Sequence, residues 1–146
     1  MSEKKYLTNI EDMDFSAVPF ANEKLEFLSP LTIINDYSHI RIDTNQSVDL
    51  RNLVGTSFDT YAEYPLYQYI VGVNGIMFKR IERGLEDLKK TPEYFVREGE
   101  KIPPWSFYQV VENDKESLFI EDGQHRTIIA RFFFALNNID PIVHGV

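Results

Sequence analysis

The chain has 146 residues, 43% of them hydrophobic and 14% aromatic, which is enough for one core and too few for two ordinary domains. Lys and Arg number 15 against 23 Asp and Glu, and the resulting net charge of -8 has the wrong sign for coating a nucleic-acid backbone, so direct DNA binding is disfavoured. Cysteine is absent, which excludes disulfides, thiolate metal sites and cysteine nucleophiles.

Residues 1–63 carry 5 basic and 11 acidic side chains, residues 64–101 carry 7 and 6, and residues 102–146 carry 3 and 6. The acidic first third reads as a solvated surface before it reads as a protein-interaction or DNA-mimicking face. Residues 1–9 lack the apolar stretch of a signal peptide, and no run approaches the ~18 apolar residues of a membrane span. The expectation is a cytoplasmic protein with no membrane partner.

In chain order, residues 1–30 are polar with scattered apolar anchors, Leu7, Ile10, Met13, Phe15, Val18 and Phe20, which predicts an irregular arm or cover. Leu31–Ile34 and His39–Asp43 read as short strands separated by the turn formers Asn35 to Ser38. The tyrosines Tyr61, Tyr64, Tyr67 and Tyr69 crowd around Pro65 without a clear period; Tyr64 and Tyr67 are expected on a partly exposed rim. Over Ile76–Lys90, apolar Met77, Ile81, Leu85 and Leu88 recur at helical spacing, with Glu86 four residues before Lys90, so an amphipathic helix is predicted.

Thr91-Pro92-Glu93 reads as an N-cap, a first-turn proline and an acidic first turn, opening a short helix that runs to about Glu98 before Gly99. Trp105–Val111 and Ser117–Ile120 form a predicted hairpin joined by Glu112 to Glu116, with Trp105 in the core. Gln124–Asn137 is apolar almost all round, so it predicts a helix covered on most sides. Pro141–Val146 closes as a strand. Interleaved helices and strands predict one mixed α/β (α+β) domain over 1–146, a small mixed sheet with helices packed on it.

One segment carries chemistry. Glu121-Asp122-Gly123-Gln124-His125-Arg126 joins a strand to the buried helix, where free backbone N–H groups and the positive end of the helix dipole favour an anion. Gly123 lets the backbone bend and approach a ligand. His125 and Arg126 set cationic groups in the first helical turn, against the dipole, at about 0.3–1 kcal/mol per charge. A bound anion reverses the sign of that interaction, whereas pairing of Arg126 with Glu121 or Asp122 explains it without any ligand.

A strand, then Asp122-Gly123-Gln124-His125-Arg126, an apolar helix and a Pro-containing strand resemble the ParB/sulfiredoxin-like superfamily and the signature of DGQHR-motif proteins linked to DNA phosphorothioation and mobile elements. The resemblance covers Trp105–Val146 and loosely the helix from Ile76, so a core over 76–146. It implies a nucleotide-phosphate site at Gly123, Gln124, His125, Arg126 and Thr127. In it Arg126 neutralises phosphate charge, His125 donates a hydrogen bond or acts as acid and base, and Glu121 or Asp122 holds Mg²⁺ or serves as base. Helix-start electrostatics and turn capping explain both carboxylates somewhat more simply.

Departures from the family narrow this reading. Gln124 stands where sulfiredoxins use a cysteine, and no helix-turn-helix domain follows as in full partition proteins. The expected function is nucleotide binding with NTP hydrolysis or phosphoryl transfer, using Mg²⁺ with ATP or another nucleotide. The alternatives are a ParB-like metal-dependent nuclease and a non-catalytic acidic interaction protein of a phage, plasmid or other mobile element. Two lesser candidates are a second phosphate loop at Gly55-Thr56-Ser57, against an ordinary turn, and a ligand role for His144, against a structural one. His39 has no partner in sequence, and no spacing supports a metal set of His125, His144 and Asp122.

Overall fold

The computed structural model describes residues 6–36, 40–41, 47–74, 76–97 and 105–146. Its strands are β1 (Glu26–Phe27), β2 (Ile40–Arg41), β3 (Val48–Asp49), β4 (Leu53–Thr56), β5 (Ser106–Glu112), β6 (Lys115–Asp122) and β7 (Ile142–Val143). Its helices are α1 (Pro30–Asp36), α2 (Leu66–Val71), α3 (Lys79–Lys90), α4 (Glu93–Val96) and α5 (Gln124–Leu136). The fold is mixed α/β, as the sequence predicts.

The hairpin is built on chemistry the sequence states directly. Asn113 and Asp114 both adopt left-handed backbone, φ 51° and 64°, which matches the twist of two antiparallel strands, so β5 turns into β6 through only two residues. Beyond β6 the sheet continues with β4 and then β1, both parallel to their neighbour; beyond β5 lies antiparallel β2, giving the order β1-β4-β6-β5-β2. A separate two-stranded ladder pairs β3 with β7.

Helix α5 lies against this sheet. Ile128, Ile129, Phe132, Phe133 and Phe134 are all buried, and each contributes on the order of 1.5–3 kcal/mol through removal from water. Ile81, Leu85 and Leu88 from α3, Leu66, Tyr69 and Ile70 from α2, and Leu118 and Ile120 from β6 complete the same core. Alternation along β6 sends Phe119 to the other face, where it meets Val110 and Ile33 of α1 in a second, smaller cluster.

Several expectations change. Leu31–Ile34 is helical, inside α1, not a strand: the Ser29 hydroxyl accepts from the Thr32 amide at 3.2 Å, and Pro30 supplies the preset φ of a first helical position. The β-branched run is outvoted by its start signal. Residues 6–25 are irregular, as read, but organised as three tight turns, Ile10–Asp12, Phe15–Ala17 and Pro19–Asn22, that seat Ile10, Phe15 and Phe20 against the core, whereas Glu26–Phe27 departs from the expected arm and joins the sheet as β1. Most of the strand over His39–Asp43 and the residues from Glu98 to Pro104 lie outside the described residues. The amphipathic helix begins at Lys79, three residues later than its apolar period suggests.

Gly55-Thr56-Ser57 is not a phosphate loop. Gly55 and Thr56 belong to β4, and the Ser57 hydroxyl donates to the Ile120 carbonyl at 2.8 Å. Glycine is needed at 55 because a Cβ there would stand 2.5 Å from the Phe119 ring and inside contact distance of the Glu26 carbonyl oxygen. That oxygen belongs to the paired strand and has no room to retreat. Gly55→Ala is therefore expected to destabilise the fold by about 1–3 kcal/mol, read as a lower urea midpoint with an unchanged slope.

Candidate functional site

The turn from β6 into α5 is fixed by Gly123, whose φ of +93° is unfavourable for any side chain and whose absent Cβ would lie 2.5 Å from Trp105 Cδ1. Buried Gln124 then folds back on the sheet. Its amide nitrogen donates to the carbonyls of Ile120 at 3.0 Å and Glu121 at 3.2 Å, while its carbonyl oxygen accepts from the Thr56 hydroxyl. Thr127, fully buried, donates to the Gly123 carbonyl at 2.8 Å and accepts from the Trp105 indole at 2.9 Å.

These contacts divide the predicted phosphate-binding residues into two groups. The side chains of Gln124 and Thr127, and the space above Gly123, are occupied inside the chain. His125 and Arg126 project the other way and line one wall of a cleft of about 330 Å³, whose remaining lining comes from Gly84 and Asp87 of α3, Thr91, and Tyr94 and Phe95 of α4. Glu121 and Asp122 are exposed at the end of β6 and are not in that lining.

Arg126 is held in place. Its Nη1 donates to the Tyr94 hydroxyl at 2.8 Å, and its guanidinium lies over the Trp105 ring, 5.6 Å from the centroid. Tyr94 in turn stacks on Trp105, with planes 10° apart and centroids separated by 6.1 Å. Trp105 is buried, as expected, so this stack is anchored in the core.

His125 is pushed down to about 4 by burial first, then by the neighbouring cations Arg126 and Arg80, against the opposing pull of Asp87 and Asp122. The ring is therefore uncharged at neutral pH. Half of the apparent conflict with the helix dipole disappears, and the positive charge at the start of α5 is that of Arg126.

Asp87, Thr91 and Tyr94 were not identified from sequence, but one residue pointed toward them. Gly84 sits in the interior of an amphipathic helix, where glycine costs about 1 kcal/mol relative to alanine. A Cβ at that position would collide with Ile129 and come within 3.2 Å of His125 Cδ2. The glycine marks the place where α3 meets the first turns of α5, and hence the floor of the cleft.

The remaining candidates fall elsewhere. His144 accepts or donates at 2.7 Å with the Ser47 hydroxyl beside the β3–β7 ladder and takes no part in the cleft. His39 lies outside the described residues. Tyr64 and Tyr67 are half-buried against the core. Among the described residues no three His, Cys, Asp or Glu side chains group as metal ligands, and no helix is long and apolar enough to cross a membrane. Compared with protein-family models, with curated proteins and with solved structures, the chain matches none of them.

The depressed His125 has a thermodynamic signature. Between pH 6.5 and about 4 the unfolded chain holds a proton on this ring that the folded chain does not, so stability is full above pH 6.5 and is lost as pH falls toward 4. After allowance for the ring's partial exposure the loss is on the order of 1–2 kcal/mol. Urea unfolding across this range should show that slope, and His125→Gln should remove it.

Proposed function

We propose that the cleft between α3, α4 and the first turn of α5 receives the phosphate end of a nucleotide or a related phosphorylated small molecule, and that the chain is a phosphate-handling protein of the ParB/sulfiredoxin-like kind. The observation that carries this reading is the pairing on one wall of a guanidinium, Arg126, with an uncharged imidazole, His125, facing the carboxylate Asp87 across a small cleft. Its volume, about 330 Å³, falls at the lower end of small-molecule sites.

Each side chain has a chemical task in this reading. Arg126, preset by Tyr94 and Trp105, meets a phosphate oxygen with charge-assisted hydrogen bonds and loses little freedom in doing so. His125 offers a neutral ring that accepts or donates a proton. Asp87 takes over the part that the family resemblance implies for Glu121 or Asp122, because it is the carboxylate that lines the cleft.

Mg²⁺ fits this donor set in one mode only. A single carboxylate with water and phosphate oxygens is an ordinary magnesium environment, whereas an all-protein cage needs more ligands than the described residues bring together. Magnesium would be held by Asp87 and would neutralise phosphate charge. Phosphoryl transfer then rests on positioning and on the charge of Arg126, with His125 placed to move a proton of the acceptor.

The nuclease alternative draws less support, since of its conceivable metal set, His125, His144 and Asp122, only His125 lines the cleft and the net charge of -8 opposes a polyanion. The acidic-partner alternative is weakened by internal use of acidic residues: Glu11 pairs with Lys89, Asp49 pairs with Arg51, and Asp14 caps a turn.

Calorimetry with ATP, ADP and CTP, each with and without Mg²⁺, tests the reading. Binding at millimolar concentration or below is expected, and Arg126→Gln should weaken it by at least about tenfold, the loss of a charged hydrogen bond. Absence of binding by all three nucleotides at millimolar concentration overturns it.

A further inference from the structure

We propose, independently of the phosphate reading, that the outer edge of β1 is a docking strip for a short, extended, basic segment of another protein, which pairs with it as an added strand. Backbone geometry opens the edge. β1 ends the sheet, with β4 on one side and no described strand on the other. In a parallel ladder alternate residues turn their backbone groups toward the same neighbour. The Leu28 N–H donates to the Thr56 carbonyl at 3.1 Å, so Leu28 and Glu26 face β4, and Phe27 between them faces away. The N–H and C=O of Phe27 find no partner among the described residues. The same alternation turns the backbone of Leu25 outward. Both ends of the strip are closed: the Glu23 carbonyl accepts from the Leu66 amide at 2.9 Å, and the Ser29 carbonyl from the Ile33 amide at 3.0 Å. The open stretch takes about three or four residues of a guest strand, at ~3.3 Å each.

Side chains beside the strip supply anchorage and charge. Phe27 is 45% exposed and Phe58 55% exposed. Thr56 holds both in one place, as the ladder partner of Phe27 and, through its hydroxyl, as acceptor of the Phe58 amide at 3.1 Å. Three carboxylates adjoin them: Glu26 precedes Phe27, Asp59 follows Phe58, and Glu121 follows Ile120, the partner of Thr56 on β6. All three are exposed, and unlike Glu11 and Asp49 none forms an ion pair with a described residue. Residues 23–29, 56–63 and 120–122, which build this corner, hold six carboxylates and one cation, Lys24. That charge selects the occupant. A second copy would bring the same carboxylates against these, and a nucleic acid would bring phosphates, so both are repelled. Glu26 and Phe27, as neighbours in a strand, present opposite faces of the sheet. A peptide with apolar residues on one face and Lys or Arg on the other matches both: its backbone bonds that of Phe27, its apolar side chains cover the rings, and its cations meet the carboxylates.

A phage library of random peptides, selected against the full chain, tests this. Enrichment of sequences that alternate apolar residues with Lys or Arg is expected. A synthetic peptide of the enriched sequence should bind with micromolar affinity, protect the Phe27 amide from hydrogen exchange, and bind more weakly as salt rises from about 50 to 500 mM. Phe27→Thr, which keeps strand propensity, and the double variant Glu26→Lys with Asp59→Lys should each weaken binding at least about tenfold, while urea unfolding shows that both variants fold. The double variant Glu82→Lys with Glu86→Lys changes net charge equally on the exposed side of α3 and should have little effect. No enrichment, enrichment of sequences without basic residues, or equal weakening by the two double variants overturns the proposal. So does a dimer in sedimentation that Phe27→Thr dissolves, which gives the strip to a second copy. None of these outcomes bears on the cleft, whose phosphate reading stands or falls by calorimetry.

Discussion

The arrangement of the cleft depends on a knot of buried hydrogen bonds where β6 ends. The Gln124 side chain ties two carbonyls of β6 to the hydroxyl of Thr56 on β4, and Thr127 ties the Gly123 carbonyl to the indole of Trp105. A buried amide or hydroxyl left without partners costs about 1–3 kcal/mol. These groups satisfy one another, and they leave the first turn of α5 one way to sit on the sheet. With α5 so oriented, consecutive residues diverge: Gln124 and Thr127 point into the protein, His125 and Arg126 toward α3 and α4. The outward pair is placed by its inward neighbours.

Much of the frame was legible in the sequence because its signals are local. Asn113-Asp114 between two strand-like runs, the helical spacing of Ile81, Leu85 and Leu88, and the unbroken apolar surface of α5 each specify one element without reference to the rest. The parts misread or missed are those decided at a distance. The Leu31–Ile34 run has strand-like composition, and only its Ser29-Pro30 start makes it a helix. Strands β1 and β4 are two and four residues long, too short to show alternation, and Gly55 within β4 is there for a carbonyl of β1.

The site was half legible for the same reason. Cationic residues at a helix start violate a rule that can be checked along the chain, and this led to His125 and Arg126. Whether a polar residue at that turn faces inward or outward leaves no mark in the sequence, so Gln124 and Thr127 read as ligand groups although their side chains are used internally. Asp87 and Tyr94 join the cleft only through the docking of α3 and α4 on α5. Gly84 alone carries a trace of that docking, as a residue that weakens its own helix to admit another.

The acidic first third also changes meaning once folded. Glu11 reaches Lys89 on α3, and Glu23 and Asp49 lend their field to Arg131, a buried cation on α5 whose guanidinium rests 4.1 Å from the Phe20 ring centroid. Part of the charge imbalance along the sequence is thus resolved across space. Leu7 exchanges backbone bonds with the Asn137 side chain, β3 pairs with β7, and β6 slots between β4 and β5. On a translating ribosome, then, the early segments emerge long before the strands and helix they are destined to meet, and the chain stays without its centre until α5 has cleared the exit tunnel. Closure of these long loops, Leu7 to Asn137 among them, therefore waits on α5.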